Sequence, residues 1–435
     1  MNGRSFPSVA IETLGCKLNL ADSDRLARDF VNKGYIVVDS EEHADVYIVN
    51  TCTVTHRADR KARQALRSAK KRNPGALIVA TGCYAQRDGA AIRDLPGVSL
   101  VVGNDQKARI VDDVLAMSKP QTPYVRPEHG SHQFGIPGRS RAFVKIQEGC
   151  DQVCAYCIVP IVRGRERSIP PDELIREVRC RVNEGYKEIV LTGTQLGSYG
   201  FDLESVTLYS LIAGILEQSD VARLRVSSLQ PQEITVDLLS LWNNDARLCP
   251  HFHVPLQSGS DRILGRMRRK YDSSEYRRAV QRIREMLSPV TVTTDVIVGF
   301  PDETEDDFRA TLEVCVEANL SAIHVFPYSS RPRTSAAHFK QKVDAVTIKR
   351  RSRQVRDLGA TLEKAHRANR LGSEEQVLWE KCVANADGLP IWSGLTEGYI
   401  RAFVASPRVF SGLIARCRVL RVIEEGVWVE LTDGI

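Results

Sequence analysis

Residues 145–157 read KIQEGCDQVCAYC, and the three cysteines of this stretch decide how the chain is interpreted. Cys150, Cys154 and Cys157 follow an apolar run that predicts a β-strand. Thiolates this close in one loop hold a single soft metal centre, and three ligands to a four-iron cubane leave one iron open to a substrate's amino and carboxyl groups. Zinc or unligated reduced thiols are the alternatives, but structural zinc takes a fourth ligand, and no fourth Cys or His is near. The stretch therefore predicts an iron–sulfur cluster beside a strand end.

Strands and helices alternate on both sides of this loop, which predicts an α/β protein with mostly parallel strands. Residues 141–370 have the rhythm of an open, partial (β/α)6 barrel closed by a long charged helix from 344 to 370. Its predicted strands are 142–146, 188–192, 223–227, 251–255, 291–298 and 322–326, and its clearest helices are 171–183 and 305–318.

Residues 1–118 predict a separate Rossmann-like α/β domain with strands at 9–13, 35–38, 45–49 and 77–80 and helices at 22–32 and 56–71. Cys16, Cys52 and Cys83 each lie just past a predicted strand. The carboxyl ends of parallel strands meet at one edge of a sheet, so the three thiols would face one cavity. Buried, unrelated cysteines are the alternative. We interpret the remaining five cysteines as core residues: Cys180, Cys249, Cys315, Cys382 and Cys417.

The rest of the chain predicts a linker and a small third domain. Residues 119–140 are rich in Pro and Gly, a linker composition. Residues 371–435 contain short β runs at 376–380, 399–404, 413–423 and 427–431, which predict a small all-β barrel.

The composition narrows the class of protein. With 435 residues, 43% apolar and 26% charged residues and a net charge of +6, the chain has the profile of a multidomain globular protein. It contains neither a membrane-spanning apolar run nor a secretory signal, so we expect a cytoplasmic protein whose 11 cysteines are mostly reduced.

The residues around both cysteine trios resemble the radical S-adenosylmethionine methylthiotransferase family over essentially the whole chain. The downstream motifs are 145–151 (KIQEGCD), 154–160 (CAYCIVP), 163–168 (RGRERS), 191–200 (LTGTQLGSYG), 249–260 (CPHFHVPLQSGS) and 295–301 (DVIVGFP). Upstream, Gly15-Cys16 with Asn19, Asn50-Thr51-Cys52 and Gly82-Cys83 are similar to the family's amino-terminal domain, and the last module resembles its TRAM domain. Three positions depart from the pattern: Gln230 replaces a usual Glu, Asp302 stands where Gly usually follows Phe-Pro, and Arg333 lies in a stretch where Gly is common.

The resemblance is to the MtaB-type branch, and it implies an enzyme that converts threonylcarbamoyl-adenosine at position 37 of tRNA to its 2-methylthio form. It implies two 4Fe-4S clusters and S-adenosyl-L-methionine. The cluster on Cys150, Cys154 and Cys157 would generate a 5′-deoxyadenosyl radical. The cluster on Cys16, Cys52 and Cys83 would present the sulfur, and a second S-adenosyl-L-methionine would methylate it. The difficult chemistry belongs to these cofactors, and the protein supplies orientation and excludes water.

Barrel strand ends would cradle the cofactor. We assign Tyr156 to the adenine, Thr192 and Gly193 to the methionine amino group, Ser227 to the ribose and Ile297 to the adenine face. Plain structural roles for Thr192, Ser227 and Ile297 are the alternatives. His251 and His253 share one strand face, and we favour pocket-lining or structural roles over metal ligation for both.

The partners implied are the anticodon stem-loop of a tRNA and an electron donor protein, without a membrane; the oligomeric state stays open. Residues 55–72, around the predicted helix 56–71, contain eight basic residues and one acid, Asp59, and this helix would contact phosphates, unless it is only a solvated face. Its predicted RNA-binding residues are Arg57, Arg60, Lys61, Arg63, Arg67 and Lys70. A second basic run holds Lys349, Arg350, Arg351, Arg353 and Arg356, and the last module offers Trp379, Trp392, Tyr399, Phe403 and Trp428 as stacking faces or core.

The sequence leaves alternative functions open. They are methylthiolation of another tRNA adenosine derivative, methylthiolation of a ribosomal protein residue, and a non-catalytic iron–sulfur protein that binds RNA or stores iron.

Overall fold

A computed structural model of the chain describes residues 6–118, 139–386 and 388–432. The described residues form two compact units. The first contains the residues up to Arg139 together with 148–152 and 157–166, and the second contains 140–147, 153–156 and 167 onward. All but the last two residues of the predicted linker 119–140 lie outside the described residues, and the boundaries at 118, 140 and 370 stay predictions. Among the described residues, none of the helices is both long enough and apolar enough to span a membrane.

The first unit is a Rossmann-like α/β sandwich. Its five-stranded sheet is parallel throughout, with strand order β2-β1-β3-β4-β5. Apolar clusters cover both faces of the sheet. Its strands are β1 (Ser8–Thr13), β2 (Ile36–Val38), β3 (Val46–Thr51), β4 (Leu77–Gly82) and β5 (Leu100–Val101). Its helices are α1 (Lys17–Asn32), α2 (His56–Arg72), α3 (Cys83–Arg87), α4 (Gly89–Arg93), α5 (Ile110–Met117) and α6 (Val159–Arg163).

The second unit begins with a half-barrel of six parallel strands. β6, β9 and β10 form one sheet and β11, β12 and β13 another, and isolated parallel bridges such as Ser228 to His253 join the two. The six half-barrel strands are β6 (Arg141–Lys145), β9 (Glu188–Thr192), β10 (Arg223–Val226), β11 (His251–His253), β12 (Thr291–Val298) and β13 (Ala322–Pro327). β7 (Gln147–Glu148) and β8 (Arg167–Ser168) are two short strands outside the half-barrel. The helices are α7 (Pro171–Asn183), α8 (Leu208–Gln218), α9 (Val236–Asn244), α10 (Asp261–Arg266), α11 (Ser273–Met286), α12 (Glu305–Glu317) and α13 (Ala345–Ala368).

Alternation along these strands separates two faces. Ala142, Val144, Leu224 and Val296 belong to the large apolar core that packs against the helices. Their neighbours in the chain point to the opposite, inner face of the half-barrel. The inner face is therefore available for polar side chains and a ligand, as in other barrels of this architecture.

The second unit ends in a closed five-stranded barrel with the order β14-β15-β16-β18-β17. Its strands are β14 (Glu374–Ala386), β15 (Leu389–Thr396), β16 (Arg401–Ala405), β17 (Ile414–Ile423) and β18 (Gly426–Leu431). The predicted fold class is confirmed, but the sequence prediction missed β15 and most of β14. Residues 389–396 contain Pro390 and Gly394, which indicate a loop, whereas a Cβ at Gly394 would lie 2.5 Å from the Leu378 carbonyl oxygen of the paired strand.

Candidate functional site

Three cysteines occupy one edge of the parallel sheet in the first unit. Cys16 caps α1 after β1, Cys52 follows β3, and Cys83 begins α3 after β4. β1, β3 and β4 are adjacent strands, so the three residues lie at neighbouring carboxyl ends. Burial raises the pKa of the Cys52 thiol to about 12, and both other thiols lie close enough to add to that effect.

The backbone at this edge is shaped for close approach. Gly15 has a φ of +102°, and a Cβ there would lie 2.8 Å from the Cys52 sulfur. Asn19 donates to the Leu14 and Thr51 carbonyl oxygens, at 2.7 and 3.1 Å, which ties the loop after β1 to the end of β3. Thiols from separate strand ends are thus held together by short loops.

The segment that follows Cys157 packs on the same edge of the sheet. Ile158 and Val162 form an apolar cluster with Cys83, and the Asn104 side chain donates to the Val162 carbonyl oxygen at 2.7 Å. Asn104 also lies 3.7 Å from the Cys83 sulfur, within reach of a weak hydrogen bond.

Arg163 is the centre of a buried polar network in this unit. Its guanidinium group donates to Glu148 and to Asn19, and it lies 3.5 Å from Asp22. Lys107 contacts the same Asp22 carboxylate at 2.6 Å. We assigned no role to Arg163 from the sequence, although it lies in the quoted stretch 163–168, because a single arginine carries no spacing signal.

The loop with the other three cysteines is held by backbone hydrogen bonds. Within the second unit, Ala155 donates to Met267 and accepts from Ala336, at 2.9 and 2.8 Å. The Arg269 guanidinium group lies 3.3 Å from the Cys154 sulfur and donates to Gln230. Arg269 is a further residue that the sequence prediction missed. Because it follows a helix rather than a strand end, nothing in the pattern pointed to it.

Of the predicted cofactor residues, Tyr156 lies in the cysteine loop and the others lie at or near the carboxyl ends of half-barrel strands. Thr192 is buried and ends β9. Gly193 follows it and lies close to Gln147, since a Cβ at Gly193 would be 3.1 Å from Oε1 of that side chain. Ile297 and Tyr156 pack against the same small apolar cluster, in which the Tyr156 ring meets Phe300 edge to face. The structure thus brings Tyr156 and Ile297 together, and their contacts to a cofactor stay predictions.

Several buried polar atoms at or just after strand ends of both units have no hydrogen-bond partner among the described residues. They are Oγ of Ser227, Oγ1 of Thr194, Oγ1 of Thr81 and Oδ1 of Asn50. A buried hydroxyl without a partner costs free energy, so such atoms mark places where a bound group completes the site. The three soft thiol ligands at neighbouring strand ends of the first unit fit an iron–sulfur cluster. The free hydroxyls after β9 and β10 fit a nucleoside cofactor in the second.

The basic helix is α2, and its charges point outward. Asp59, its acid, is buried and pairs with Arg87 at 2.9 Å. Arg57, Arg60, Lys61 and Arg67 are exposed, as is Lys71. Arg63 and Lys70 are half-buried and hydrogen-bond within the protein, to the Tyr84 hydroxyl and the Pro74 carbonyl oxygen.

Several other residues that the sequence offered as candidates make contacts within the protein. Arg350 and Arg351 of the second basic run pair with acids of the Glu303–Glu305 segment. Trp379 and Trp392 are core residues of the terminal barrel, and His251 stacks on Tyr399 with ring centroids 4.7 Å apart.

Two of the five remaining cysteines are not core residues. Cys249, Cys315 and Cys417 are buried, but Cys180 and Cys382 are exposed. The latter two lie on solvent-facing positions of α7 and β14, where cysteine indicates nothing about burial.

Comparisons with known proteins identify the first two parts of the chain. The model described as Uncharacterized protein family UPF0004 matches residues 8–103, and that of the Radical SAM superfamily matches residues 144–315. The solved structure of the radical S-adenosylmethionine methyltransferase TsrM from Kitasatospora setae, with cobalamin and a [4Fe-4S] cluster bound, superposes with a TM-score of 0.54. It is 14% identical and covers 76% of this chain and 77% of that one, so it supports the fold alone.

Curated relatives cover nearly the whole length. A threonylcarbamoyladenosine tRNA methylthiotransferase MtaB of Bacillus subtilis is 34% identical over 98% of this chain and 97% of its own. One of Aquifex aeolicus is 41% identical over 80% of this chain and 87% of its own. A tRNA-2-methylthio-N(6)-dimethylallyladenosine synthase of Dictyoglomus thermophilum is 34% identical over 97% of each. The chain therefore belongs to the radical SAM methylthiotransferase family.

Proposed function

We propose that this protein is a tRNA methylthiotransferase that replaces the hydrogen on carbon 2 of threonylcarbamoyladenosine, at position 37, with a methylthio group. One observation carries the proposal: a Cys-x-x-x-Cys-x-x-Cys loop at the first half-barrel strand occurs in the same chain as three cysteines on adjacent strand ends of a parallel sheet. The cofactors are two 4Fe-4S clusters and S-adenosylmethionine.

The adenine C2–H bond is too weakly acidic for a side-chain base, so this position calls for radical chemistry. Cys150, Cys154 and Cys157 would hold a cluster, which would supply one-electron reductive chemistry toward S-adenosylmethionine. Cys16, Cys52 and Cys83 would hold the second cluster and its sulfur. Ser227 and Thr194 would donate hydroxyl hydrogen bonds to the cofactor, and Tyr156 and Ile297 would enclose its adenine.

Arg269 would place a fixed positive charge beside Cys154. The sulfur lies 3.3 Å from its guanidinium group, and Gln230 holds the group from the other side. A positive charge next to a thiolate ligand stabilises the more negative, reduced form of a cluster. Glu, the usual residue at position 230, would offset that charge, whereas the neutral Gln230 leaves it intact.

For the RNA, we propose that the exposed face of α2 contacts phosphates of the anticodon stem-loop. We also propose an electron donor protein as a second partner and the cytoplasm as the location, where tRNA and reduced thiols are both present.

The experiment compares Cys52→Ala, Cys154→Ala and, as a control on an exposed cysteine, Cys180→Ala. Each protein is reconstituted and reduced without oxygen, and 5′-deoxyadenosine and methylthio nucleosides are measured by mass spectrometry. Cys154→Ala should lose both products, Cys52→Ala should keep 5′-deoxyadenosine but lose methylthiolation, and Cys180→Ala should keep both. Methylthiolation by Cys52→Ala at the wild-type rate would contradict the role of the first-unit cysteines.

Substrate choice separates this proposal from its rivals. The proteins are given tRNA with threonylcarbamoyl-adenosine, tRNA with dimethylallyl-adenosine, and ribosomal proteins. We expect product only from the first tRNA. A protein that forms no 5′-deoxyadenosine on any substrate would not be an enzyme of this class.

A further inference from the structure

Three side chains form a polar cluster on the inner face of the half-barrel. His253 lies on β11, Asp295 on β12 and His324 on β13. Asp295 and His324 are direct partners in the parallel register of their strands. One ligand atom from each of the three side chains lies within 4.8 Å of the others. Three consecutive strands therefore contribute one side chain each to the same polar cluster.

His253 and Asp295 hold each other in place. Nε2 of His253 lies 3.2 Å from Asp295, and its Nδ1 lies 2.9 Å from the Thr293 hydroxyl. With both ring nitrogens engaged, the imidazole has one orientation. The Asp295 carboxylate keeps further acceptor capacity, since an ionised carboxylate has about four lone-pair sites.

His324 marks the open side of the cluster. It is exposed, and two residues along the same strand Phe326 is 43% exposed, although both lie on the face where a barrel binds its ligand. An exposed aromatic ring beside polar groups is the combination by which proteins hold an unstacked base and read its edge.

Resting on the proposed function, we propose that this cluster recognises the polar substituent on N6 of the target adenosine and so determines which modified tRNA is accepted. The Asp295 carboxylate would accept hydrogen bonds from the N–H groups of the carbamoyl link. His324 would donate to the threonyl carboxylate at the open end, and His253 orients Asp295. A dimethylallyl group offers none of these partners and would leave the polar groups unpaired.

The geometry favours a substrate over a metal ion. The ligand atoms of His253, Asp295 and His324 lie within 4.8 Å of one another. The nitrogen of His253 that faces the cluster already contacts Asp295. This hydrogen-bonded pair, with the exposed His324 beside it, suits a planar group that forms hydrogen bonds.

The test uses His324→Leu and Asp295→Asn, with His43→Leu as the control because that histidine is exposed in a loop of the first unit. The substrates are one tRNA with threonylcarbamoyl-adenosine, the same tRNA with its threonyl carboxylate converted to a methylamide, and the same tRNA with dimethylallyl-adenosine. The wild type should prefer the free carboxylate by about tenfold or more in kcat/KM. His324→Leu should lose about 10- to 100-fold on that substrate and no longer distinguish it from the amide.

Asp295→Asn should be slower on both threonylcarbamoyl substrates, because the defect concerns the carbamoyl link that they share. His43→Leu should match the wild type. Formation of 5′-deoxyadenosine without tRNA checks that each variant is folded and carries its radical machinery.

The outcomes are distinguishable. A wild type that never methylthiolates threonylcarbamoyl-adenosine would overturn the proposed function. A wild type that does so, with a His324→Leu variant that keeps the preference for the carboxylate, would overturn this inference alone. Zinc or iron above the cluster content, lost in both variants, would assign the three residues to a metal site and also overturn it.

Discussion

Gly149 precedes the first cysteine of the 150–157 loop and has no room for a side chain. Its φ is +79°, and a Cβ there would lie 1.9 Å from the carbonyl oxygen of Arg165. That oxygen is backbone, so it cannot rotate away. Gly164 has a similar φ of +74°, but no heavy atom lies within 4 Å of its would-be Cβ. An alanine at Gly164 would therefore meet only the strain of a positive φ, whereas an alanine at Gly149 would also collide with the backbone.

We expect Gly149→Ala to displace the Cys150 loop, because the methyl group can be placed only if the backbone moves. Its iron content after reconstitution should fall from about eight to about four per chain, with a matching loss of 5′-deoxyadenosine. Gly164→Ala should cost only about 1–2 kcal/mol of stability and keep its iron. Iron and sulfide analysis measures the cluster content of both variants. Equal iron in the two would mean that the loop accommodates the methyl group and still binds its cluster.

Asp302 and Arg333 have the backbone conformation that glycine prefers. Their φ values are +70° and +64°, which accounts for the glycine usual at these positions. Asp302 gains an ion pair with Arg266, whereas Arg333 is exposed. The strain at position 302 is thus partly offset, and at position 333 a glycine should be better tolerated than arginine.

Arg333→Gly is expected to raise the free energy of unfolding by about 0.5–1 kcal/mol, since relief of left-handed strain exceeds the added entropy of the unfolded chain. Lys340→Gly, at a nearby exposed position without positive φ, should lower it instead. Denaturant titration measures both. If Arg333→Gly were less stable than the wild type, the Arg333 side chain would make contacts that outweigh the strain.

At the scale of elements, α2 shows how one helix separates its charges. Asp59 faces inward onto Arg87, and the exposed positions include Arg60, Arg67 and Lys71, which line one groove along the helix. An outward face of one sign attracts phosphates without reading sequence.

We expect Arg60→Gln, Arg67→Gln and Lys71→Gln together to weaken tRNA binding and to lower the slope of log affinity against log salt by about 2–3. The matched control removes three exposed charges from α13, with Lys349→Gln, Arg353→Gln and Arg356→Gln. Binding measured from low to moderate salt compares the two proteins. An equal loss in both would show that α2 contributes only general charge.

Periodicity alone predicted most of the parallel strands and five of the helices, because a buried strand or an amphipathic helix imprints its spacing on the sequence. The strand 291–298 and the helix 171–183 match the structure residue for residue. β15 was not predicted, because its proline and glycine indicate a loop, whereas Gly394 is required by a close approach to the paired strand β14 that the local sequence does not reveal.

The residues of the candidate site likewise include some that the sequence predicts and some that it does not. The cysteines could be found because ligand spacing and strand ends are local features. Arg163 and Arg269 reach the cysteine regions by long side chains from distant segments, so no local pattern reports them.

At the scale of the second unit, a buried charge network joins the half-barrel to the terminal barrel. Glu188 pairs with Arg225 at 2.8 Å, and both side chains are fully buried. Arg225 also donates to the Glu397 carbonyl oxygen at 3.0 Å and lies over the Tyr399 ring at 5.0 Å. Arg223 donates to Leu395 at 3.2 Å. The two barrels are thus expected to unfold together.

Glu188→Gln should destabilise the unit by about 3–5 kcal/mol, because it leaves buried arginines without their counter-charge. Although burial opposes ionisation, the neighbouring arginines lower the pKa of Glu188 from 4.5 to about 2. The carboxylate's stabilisation is therefore present above pH 4.5 and lost as the pH falls toward 2, a difference of about 3 kcal/mol. The variant should have a shallower loss of stability across that window, and Glu204→Gln, at an exposed position, should not.

Tryptophan fluorescence can test the coupling directly. Trp379, Trp392 and Trp428 lie in the terminal barrel and Trp242 in the half-barrel, so a Trp242→Phe background reports the terminal barrel alone. In that background Glu188→Gln should move the fluorescence transition and the helical circular dichroism transition to lower denaturant together. If only the helical signal moved, the terminal barrel would be stable by itself, and the arginines that reach into it would join two independent folding units.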